Sequence, residues 1–179
     1  AVMEQPHVMR SGTRPIIDAS RFAQVGTWSG TLAVDGQTHT VDDDTWVGTR
    51  DRSWGIRPSG EPDPTDRWSA DEPIEGFWWL YVPMRFDDFA LIVIVQELPD
   101  GTRVLNDATR VFPDGRREQL GWPEVEITYA SGTRHPTGAR IHLRPRNSAP
   151  FTVEVYTLGF VPLNVGAGYT GDPDWNHGQ

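Results

Sequence analysis

Glycine and proline interrupt this chain so often that long helices have little room to form. The 179 residues include 18 Gly and 15 Pro, which separate short runs of β-branched and aromatic residues. No segment keeps the apolar period of 3.6 residues that marks an amphipathic helix. The spacing therefore predicts an all-β protein.

Three Asp-Gly pairs predict where the strands reverse. Asp35-Gly36, Asp100-Gly101 and Asp114-Gly115 each lie between strand-like runs, and each favours a type I′ or bulged hairpin because glycine accepts positive φ. About nine strands joined in this way predict an antiparallel barrel or sandwich. The predicted strands span residues 25–34, 37–41, 76–82, 89–97, 102–112, 116–120, 124–130, 139–144 and 152–160.

Residues 89–95 (FALIVIV) are apolar at every position. Side chains of a strand alternate between its two faces, so both faces must avoid water. We expect one face to meet the core or a cavity and the other to meet a further layer. Large exposed apolar patches are rare on soluble monomers, so this layer is expected to be another domain or a second copy of the chain.

An aromatic run precedes that strand. Alternation places Phe77, Trp79 and Tyr81 on one side and Trp78 on the other. Two interpretations stay open, namely ordinary core packing and the lining of a cavity for a large apolar ligand.

Composition excludes several chemistries. The chain has no Cys and no Lys, so all 16 of its cationic side chains are Arg, which excludes thiol nucleophiles, disulfides, thiolate metal sites and Schiff-base lysines. A net charge of −9 argues against nucleic-acid binding. No apolar run approaches the roughly 20 residues of a membrane span, so a soluble, cytoplasmic protein is expected.

Residues 48–55 (GTRDRSWG) are the densest functional stretch. In a strand, Arg50, Arg52 and Trp54 would point one way, and Asp51 would stand on the other face. A carboxyl group enclosed by apolar walls could act as a general acid. The alternative is that Asp51 and its neighbours form ion pairs that fix one end of the fold.

Residues 48–58 (GTRDRSWGIRP) resemble the G-x-R-D-H-S-W-G-x-R signature of a family of lipocalin-like bacterial proteins. This family is related to AttH and to hydroxyneurosporene synthase, the carotenoid hydratase. Gly26, Gly30 and Val34-Asp35-Gly36 resemble the hairpin before the signature, and residues 166–178 resemble the family's Gly-rich terminal motif.

The resemblance implies an antiparallel lipocalin-like β-barrel that forms half of a tandem two-barrel protein. Residues 23–179 would form the barrel, and residues 1–22 would be an N-terminal extension or interdomain linker. The chain does not begin with Met, and we expect it to be the C-terminal domain. Its partner would be an N-terminal β domain of the same protein or a second copy.

The resemblance also implies site residues, with no cofactor and no metal. Asp51 matches the acid that protonates a carbon–carbon double bond, Trp54 would stabilise the carbocation, and Arg50 adjoins them. Arg52 replaces the family's His, and adjacent guanidiniums that pair with Asp51 would work against a proton donor. The ligand-binding residues are expected to be Arg57, Phe77, Trp78, Trp79 and Tyr81.

The leading expectation is a lipocalin-like domain that encloses a hydrophobic small molecule, such as an isoprenoid, steroid or lipid. Its enzymatic form would be a hydratase or isomerase that uses acid-base chemistry alone. The alternative is a noncatalytic β module for ligand binding or domain assembly. The surroundings of Asp51 separate them, because a closed apolar cavity favours catalysis and a guanidinium partner, from Arg50, Arg52 or Arg57, favours the structural module.

Overall fold

The computed structural model describes residues 1–56 and 76–161. These residues form antiparallel β-sheets without a helix, which confirms the all-β prediction. In this part of the chain no helix is long and apolar enough to cross a membrane. The strands are β1 (Val2–Met3), β2 (His7–Ser11), β3 (Arg14–Thr27), β4 (Gly30–Val34), β5 (Gln37–Val41), β6 (Val47–Ile56), β7 (Trp78–Arg85), β8 (Ala90–Glu97), β9 (Arg103–Val111), β10 (Arg117–Gln119), β11 (Glu124–Tyr129), β12 (Pro136–Leu143) and β13 (Phe151–Tyr156).

A long two-stranded ribbon organises the first third of the chain. Its stem is the pairing of β3 with β6, from Asp18 opposite Ile56 to Thr27 opposite Val47. Beyond that end the Trp28 amide donates to the Trp46 carbonyl, and β4 pairs with β5 as a hairpin. We call residues 28–46 the arm. On its other edge β3 pairs with β1 and β2, which completes the first sheet.

Residues 1–22, the segment predicted as an extension or linker, contain β1, β2 and most of β3. They are therefore part of the first sheet. Charged residues such as Arg10, Asp18 and Arg21 interrupt the apolar alternation of this segment, which is why the sequence did not predict these strands. The strand predicted over 25–34 is in fact divided between β3 and β4.

A second sheet packs against the first, and a third sheet packs against the opposite face of the second. The second sheet has the order β10-β9-β8-β7, and the third has the order β11-β12-β13. From β8, Leu91, Val93 and Val95 pack with Ile141 and Leu143 of the third sheet. The second sheet is thus covered on this face by the third.

The opposite face of β8 meets the first sheet, where Ile92 packs with Val2 and Ala23. Every residue from Leu91 to Gln96 is buried, which confirms that both faces of this strand avoid water. The cover comes from the chain's own first and third sheets, so β8 needs neither a partner domain nor a second copy to shield it. Among the described residues no sheet closes on itself, and the lipocalin-like barrel stays a prediction.

The Asp-Gly pairs form the predicted turns. Asp35 and Gly36 have φ of 50° and 76°, the pair of positive values that a type I′ turn requires. Gly101 and Gly115 also have positive φ, and each amide donates to the carbonyl three residues earlier. The two glycines lie in the turns that join β8 to β9 and β9 to β10 in the second sheet, the bulged hairpins that the sequence predicted.

Gly55 is a position where the ribbon requires glycine. Its φ is +128°, and an added Cβ would lie 2.1 Å from the Asp18 carbonyl oxygen. We predict that Gly55→Ala lowers the free energy of unfolding by at least about 2 kcal/mol, from backbone strain and steric overlap together. Urea denaturation measures this. Gly26→Ala is the matched control in the same ribbon, because a Cβ there meets nothing within 4 Å. Equal losses of stability in both variants would contradict a specific requirement for glycine at position 55.

Candidate functional site

The stem presents its residues alternately to two sides, as the sequence predicted for residues 48–55. Asp51 lies opposite Ala23, which is buried against the second sheet, so both point towards that sheet. Arg52 lies opposite Phe22 on the outer side. The strand therefore separates Asp51 from Arg50, Arg52 and Trp54.

Arg21 joins two carboxylates on the inner side. Its Nε donates to Glu4 Oε2 at 2.9 Å, and its Nη2 donates to Asp51 Oδ2 at 2.9 Å. The Glu4 and Arg21 side chains are 1% and 9% exposed, whereas that of Asp51 is 42% exposed. This chain of ion pairs thus runs from the interior to the solvent.

Two aromatic rings of β7 complete this group. The Arg21 guanidinium carbon lies 4.9 Å from the ring centre of Trp79 and 5.5 Å from that of Tyr81, within the range of cation–π attraction. We call Glu4, Arg21, Asp51, Trp79 and Tyr81 the interior cluster. It fastens the first sheet to the second through charge and ring contacts.

Burial shifts the pKa of two members of the interior cluster, Glu4 and Tyr81. Desolvation raises the pKa of Glu4, and the Arg21 charge opposes this rise. Desolvation, with the charges of Glu4 and Asp51, raises the pKa of Tyr81 to about 12. The Tyr81 phenol therefore keeps its proton at neutral pH and is able to donate a hydrogen bond.

Three buried side-chain oxygens in the described residues have no hydrogen-bond partner, namely Glu4 Oε1, the Tyr81 hydroxyl and Gln96 Oε1. Gln96 points towards the first sheet, because its Nε2 lies 3.8 Å from Met9 Sδ of β2. Buried polar groups are nearly always paired in native proteins. The space between the first two sheets therefore has unused hydrogen-bonding capacity.

A cleft of about 400 Å³ opens beside Glu4, between the end of β1 and the β9–β10 edge of the second sheet. Met3 and Trp122 supply its apolar lining, and Glu4 and Asp107 bring carboxylates. Asp107 is buried and accepts a hydrogen bond from Gln119. Gln5, Asn106, Thr109 and Gln119 make much of the remaining lining polar, and Glu4 and Asp107 are themselves buried.

The structure brings together only part of the predicted site. Trp79 and Tyr81 contact the Arg21 guanidinium, which in turn binds Asp51. Phe77 contacts Trp79, with ring centres 6.4 Å apart. Trp78 instead packs into the core between the second and third sheets. Alternation along this run is as predicted, and it divides the residues between a site and a core. Arg57 lies outside the described residues.

Trp54 and Arg50 belong to a different surface. On the outer side of the stem, Trp54 lies 6.3 Å from the Phe22 ring, and the Arg50 guanidinium lies 5.5 Å from it. A ligand that contacts Asp51 from the inner side would not meet Trp54 or Arg50. These three residues do not form one catalytic group.

Glu4 and Arg21 are the residues that the sequence reasoning missed, since both lie in the segment predicted as a linker. A signal was present in residues 19–25 (ASRFAQV), where every second residue, namely Ala19, Arg21, Ala23 and Val25, is buried or half-buried. A buried guanidinium requires carboxylate partners. Within the described residues the partner of Asp51 is therefore Arg21, whereas Arg50 and Arg52 lie on the outer side of the stem.

The described residues define an all-antiparallel β protein with three stacked sheets and a Glu-Arg-Asp group that runs from the interior to the solvent. All of residues 1–179 match the model of a family of unknown function, DUF8625, and the chain belongs to that family. No curated protein and no solved structure matches the chain.

The two ion pairs of Arg21 are expected to differ in strength. Arg21→Met leaves the buried Glu4 carboxylate without a partner, and we predict a loss of about 3–5 kcal/mol of unfolding free energy. Asp51→Asn should cost about 1 kcal/mol or less, because Asp51 is half exposed and Arg21 keeps Glu4. Urea denaturation of the two variants checks the order. A larger loss for Asp51→Asn would contradict it.

Stability should depend on pH through Glu4. Its pKa is raised in the folded protein above the ordinary value of 4.5, so folding favours the protonated form. The stabilisation is complete below that ordinary value and is lost as pH rises through the folded pKa. Relative to Glu4→Gln, the wild type is therefore expected to lose stability as pH increases from 4.5. Denaturant unfolding of both proteins at successive pH values tests this, and parallel curves would refute it.

Proposed function

We propose that the chain is a noncatalytic β module that binds a small amphipathic molecule in the cleft beside Glu4. The observation that supports this most directly is the set of three unpaired buried oxygens, one of which belongs to the cleft residue Glu4. A ligand that donates hydrogen bonds would satisfy groups that are costly to leave unpaired. The cleft volume of about 400 Å³ is adequate for a small organic molecule.

The lining of the cleft restricts the ligand's chemistry. Glu4 and Asp107 are acidic, and the described residues around the cleft include no Arg. A ligand carboxylate would face these like charges, so a fatty acid is disfavoured. A neutral alcohol with an apolar body fits better, since its body can contact Met3 and Trp122 while its hydroxyl donates to Glu4.

An isoprenoid or steroid alcohol has this chemistry. The resemblance of residues 48–58 to the AttH-like and hydroxyneurosporene synthase-like family supports the same class of ligand. A lipocalin-like barrel would enclose such a molecule, whereas the proposal needs only the open cleft. The two views agree on a hydrophobic small molecule as the partner.

Binding is favoured over catalysis because of Arg21. Its guanidinium holds the Asp51 carboxylate and lies against the rings of Trp79 and Tyr81. An Asp51 held in an ion pair is explained by structure alone. The Trp79 and Tyr81 rings beside it already contact a cation, and Trp54, the residue expected to stabilise a carbocation, lies on the other side of the stem.

A second function is supported by Glu4. A buried carboxyl group with a raised pKa and an unpaired oxygen beside a cleft has the properties of a general acid. In this version Glu4 gives its proton to a double bond of the ligand. Water then adds to the cation and returns a proton to the carboxylate, so the chain acts as a hydratase. Glu4, and not Asp51, would be the acid.

Binding can be tested with a matched pair of ligands, farnesol and farnesoic acid, by isothermal titration calorimetry at neutral pH. We expect the alcohol to bind at least about tenfold more tightly than the acid, a difference of about 1.4 kcal/mol. Trp122→Ala should weaken binding of the alcohol, because it removes an apolar wall of the cleft. Trp54→Ala is the control, since it removes an exposed Trp from the outer side of the stem.

Equal weakening by the two Trp variants, or tighter binding of the acid, would refute the cleft as the site. The hydratase version predicts in addition that the alcohol gains the mass of one water during incubation. Glu4→Gln should abolish this gain while farnesol still binds. Binding without any mass change leaves the noncatalytic module as the function.

A further inference from the structure

The arm is an isolated hairpin with an apolar face. Every residue of β4 and β5 is exposed except the half-buried Val41. The register places Leu32 and Val34 on the same face as Val41, with Gln37 and His39 opposite them, and Leu32 and Val34 are 43% and 49% exposed. A two-stranded hairpin is at best marginally stable in water. An exposed apolar face on such a hairpin indicates that something covers it.

The arm is also strongly acidic. Residues 28–46 contain Asp35, Asp42, Asp43 and Asp44 and no Lys or Arg. The carboxylate oxygens of the last three lie within 4.8 Å of one another, and all three residues are exposed. A surface that matches the arm must therefore be both apolar and cationic.

The outer side of the stem has this character. It presents Phe22, Trp54 and Ile56 together with Arg50, Arg52 and one carboxylate, that of Asp18, and all but the half-buried Phe22 are exposed. Trp28 extends this surface along the ribbon, because its indole covers Gly48, where an added Cβ would lie 1.6 Å from Nε1. We call Asp18, Phe22, Arg50, Arg52, Trp54 and Ile56 the stem face, and Trp28 of the arm lies next to it.

The third sheet, in the part of the chain that the structure describes, has an outer side that can be compared with that of the stem. Its outer side has cross-strand ion pairs, Arg140 with Glu154 and Arg144 with Glu124. On the stem face, Arg50 instead lies against Phe22. The stem face thus combines aromatic rings with two arginines and one aspartate, whereas the outer face of the third sheet has mainly polar side chains joined by ion pairs.

We propose that the arm of one copy lies on the stem face of a second copy, so that two chains form a two-fold symmetric dimer. The stem and arm form one ribbon, so the arm extends away from its own stem face. Two ribbons that stack face to face and run in opposite directions place each arm on the partner's stem face. Both contacts are then identical, as a two-fold axis requires.

Charge and length both fit this arrangement. The aspartates of each arm face the partner's Arg50 and Arg52, and Leu32 and Val34 cover Phe22 and Trp54. Arm strands of five residues extend about 17 Å at 3.4 Å per residue. This is half the length of the ten-residue stem strand β6, so the stem is long enough to receive the arm.

Sedimentation velocity of the full chain over a range of concentrations tests the proposal. We expect a monomer–dimer equilibrium that weakens with added salt, because the charged contacts lie at the surface. Leu32→Asp should raise the dissociation constant at least about tenfold. Ala33→Asp is the matched control, with the same charge change on the opposite face of the arm, and should have a smaller effect. Unchanged circular dichroism shows that both variants are folded.

Mixing two defective variants identifies the surfaces in contact. Leu32→Asp lacks a working arm and Arg52→Glu lacks a working stem face, so each should be largely monomeric alone. A mixture retains one intact contact, between the arm of the Arg52→Glu chain and the stem of the Leu32→Asp chain, and should form a heterodimer. A wild type that stays monomeric at every concentration would overturn the proposal. So would a dimer that Arg52→Glu does not weaken, since the arms would then meet each other.

Discussion

The burial of β8 on both faces is the constraint on which the rest of the structure depends. Leu91, Val93 and Val95 require one apolar layer, and Ile92 and Ile94 require another on the opposite side. No single sheet can supply both. The third sheet covers one face and the first sheet covers the other, so residues at the two ends of the described chain must fold onto the same central strand.

The first sheet is the more demanding of the two covers, because it places charge inside. Arg21 lies between the sheets and needs Glu4 and Asp51 as partners, and these come from opposite edges of β3. A purely apolar contact of similar size would be at least as stable. The charged group fixes which residues of the two sheets meet, and it leaves one buried oxygen of Glu4 without a hydrogen-bond partner.

Local patterns in the sequence predicted what depends on local rules. The Asp35-Gly36 turn, the alternation of residues 77–82 and the two-sided burial of β8 all follow from backbone preferences and the strand period. The cover of β8 and the partner of Asp51 depend on residues far away in sequence. Glu4 and Arg21 lie in a segment whose charged residues interrupt the strand pattern, so single-sequence reasoning placed the site on residues 48–58 and 77–81 and left out Glu4 and Arg21.

The unusual composition of residues 48–55 follows from the two sides of β6. The inner side of the strand needs one carboxylate for Arg21, and Asp51 provides it. In the dimer that we propose, the outer side faces the acidic arm of a second chain, to which Arg50, Arg52 and Trp54 are suited. Because strand residues alternate between the two sides, adjacent positions of β6 can supply the inner carboxylate and the outer arginine and tryptophan side chains at the same time. The same eight residues can therefore hold the interior cluster in place while they present the stem face to a second chain.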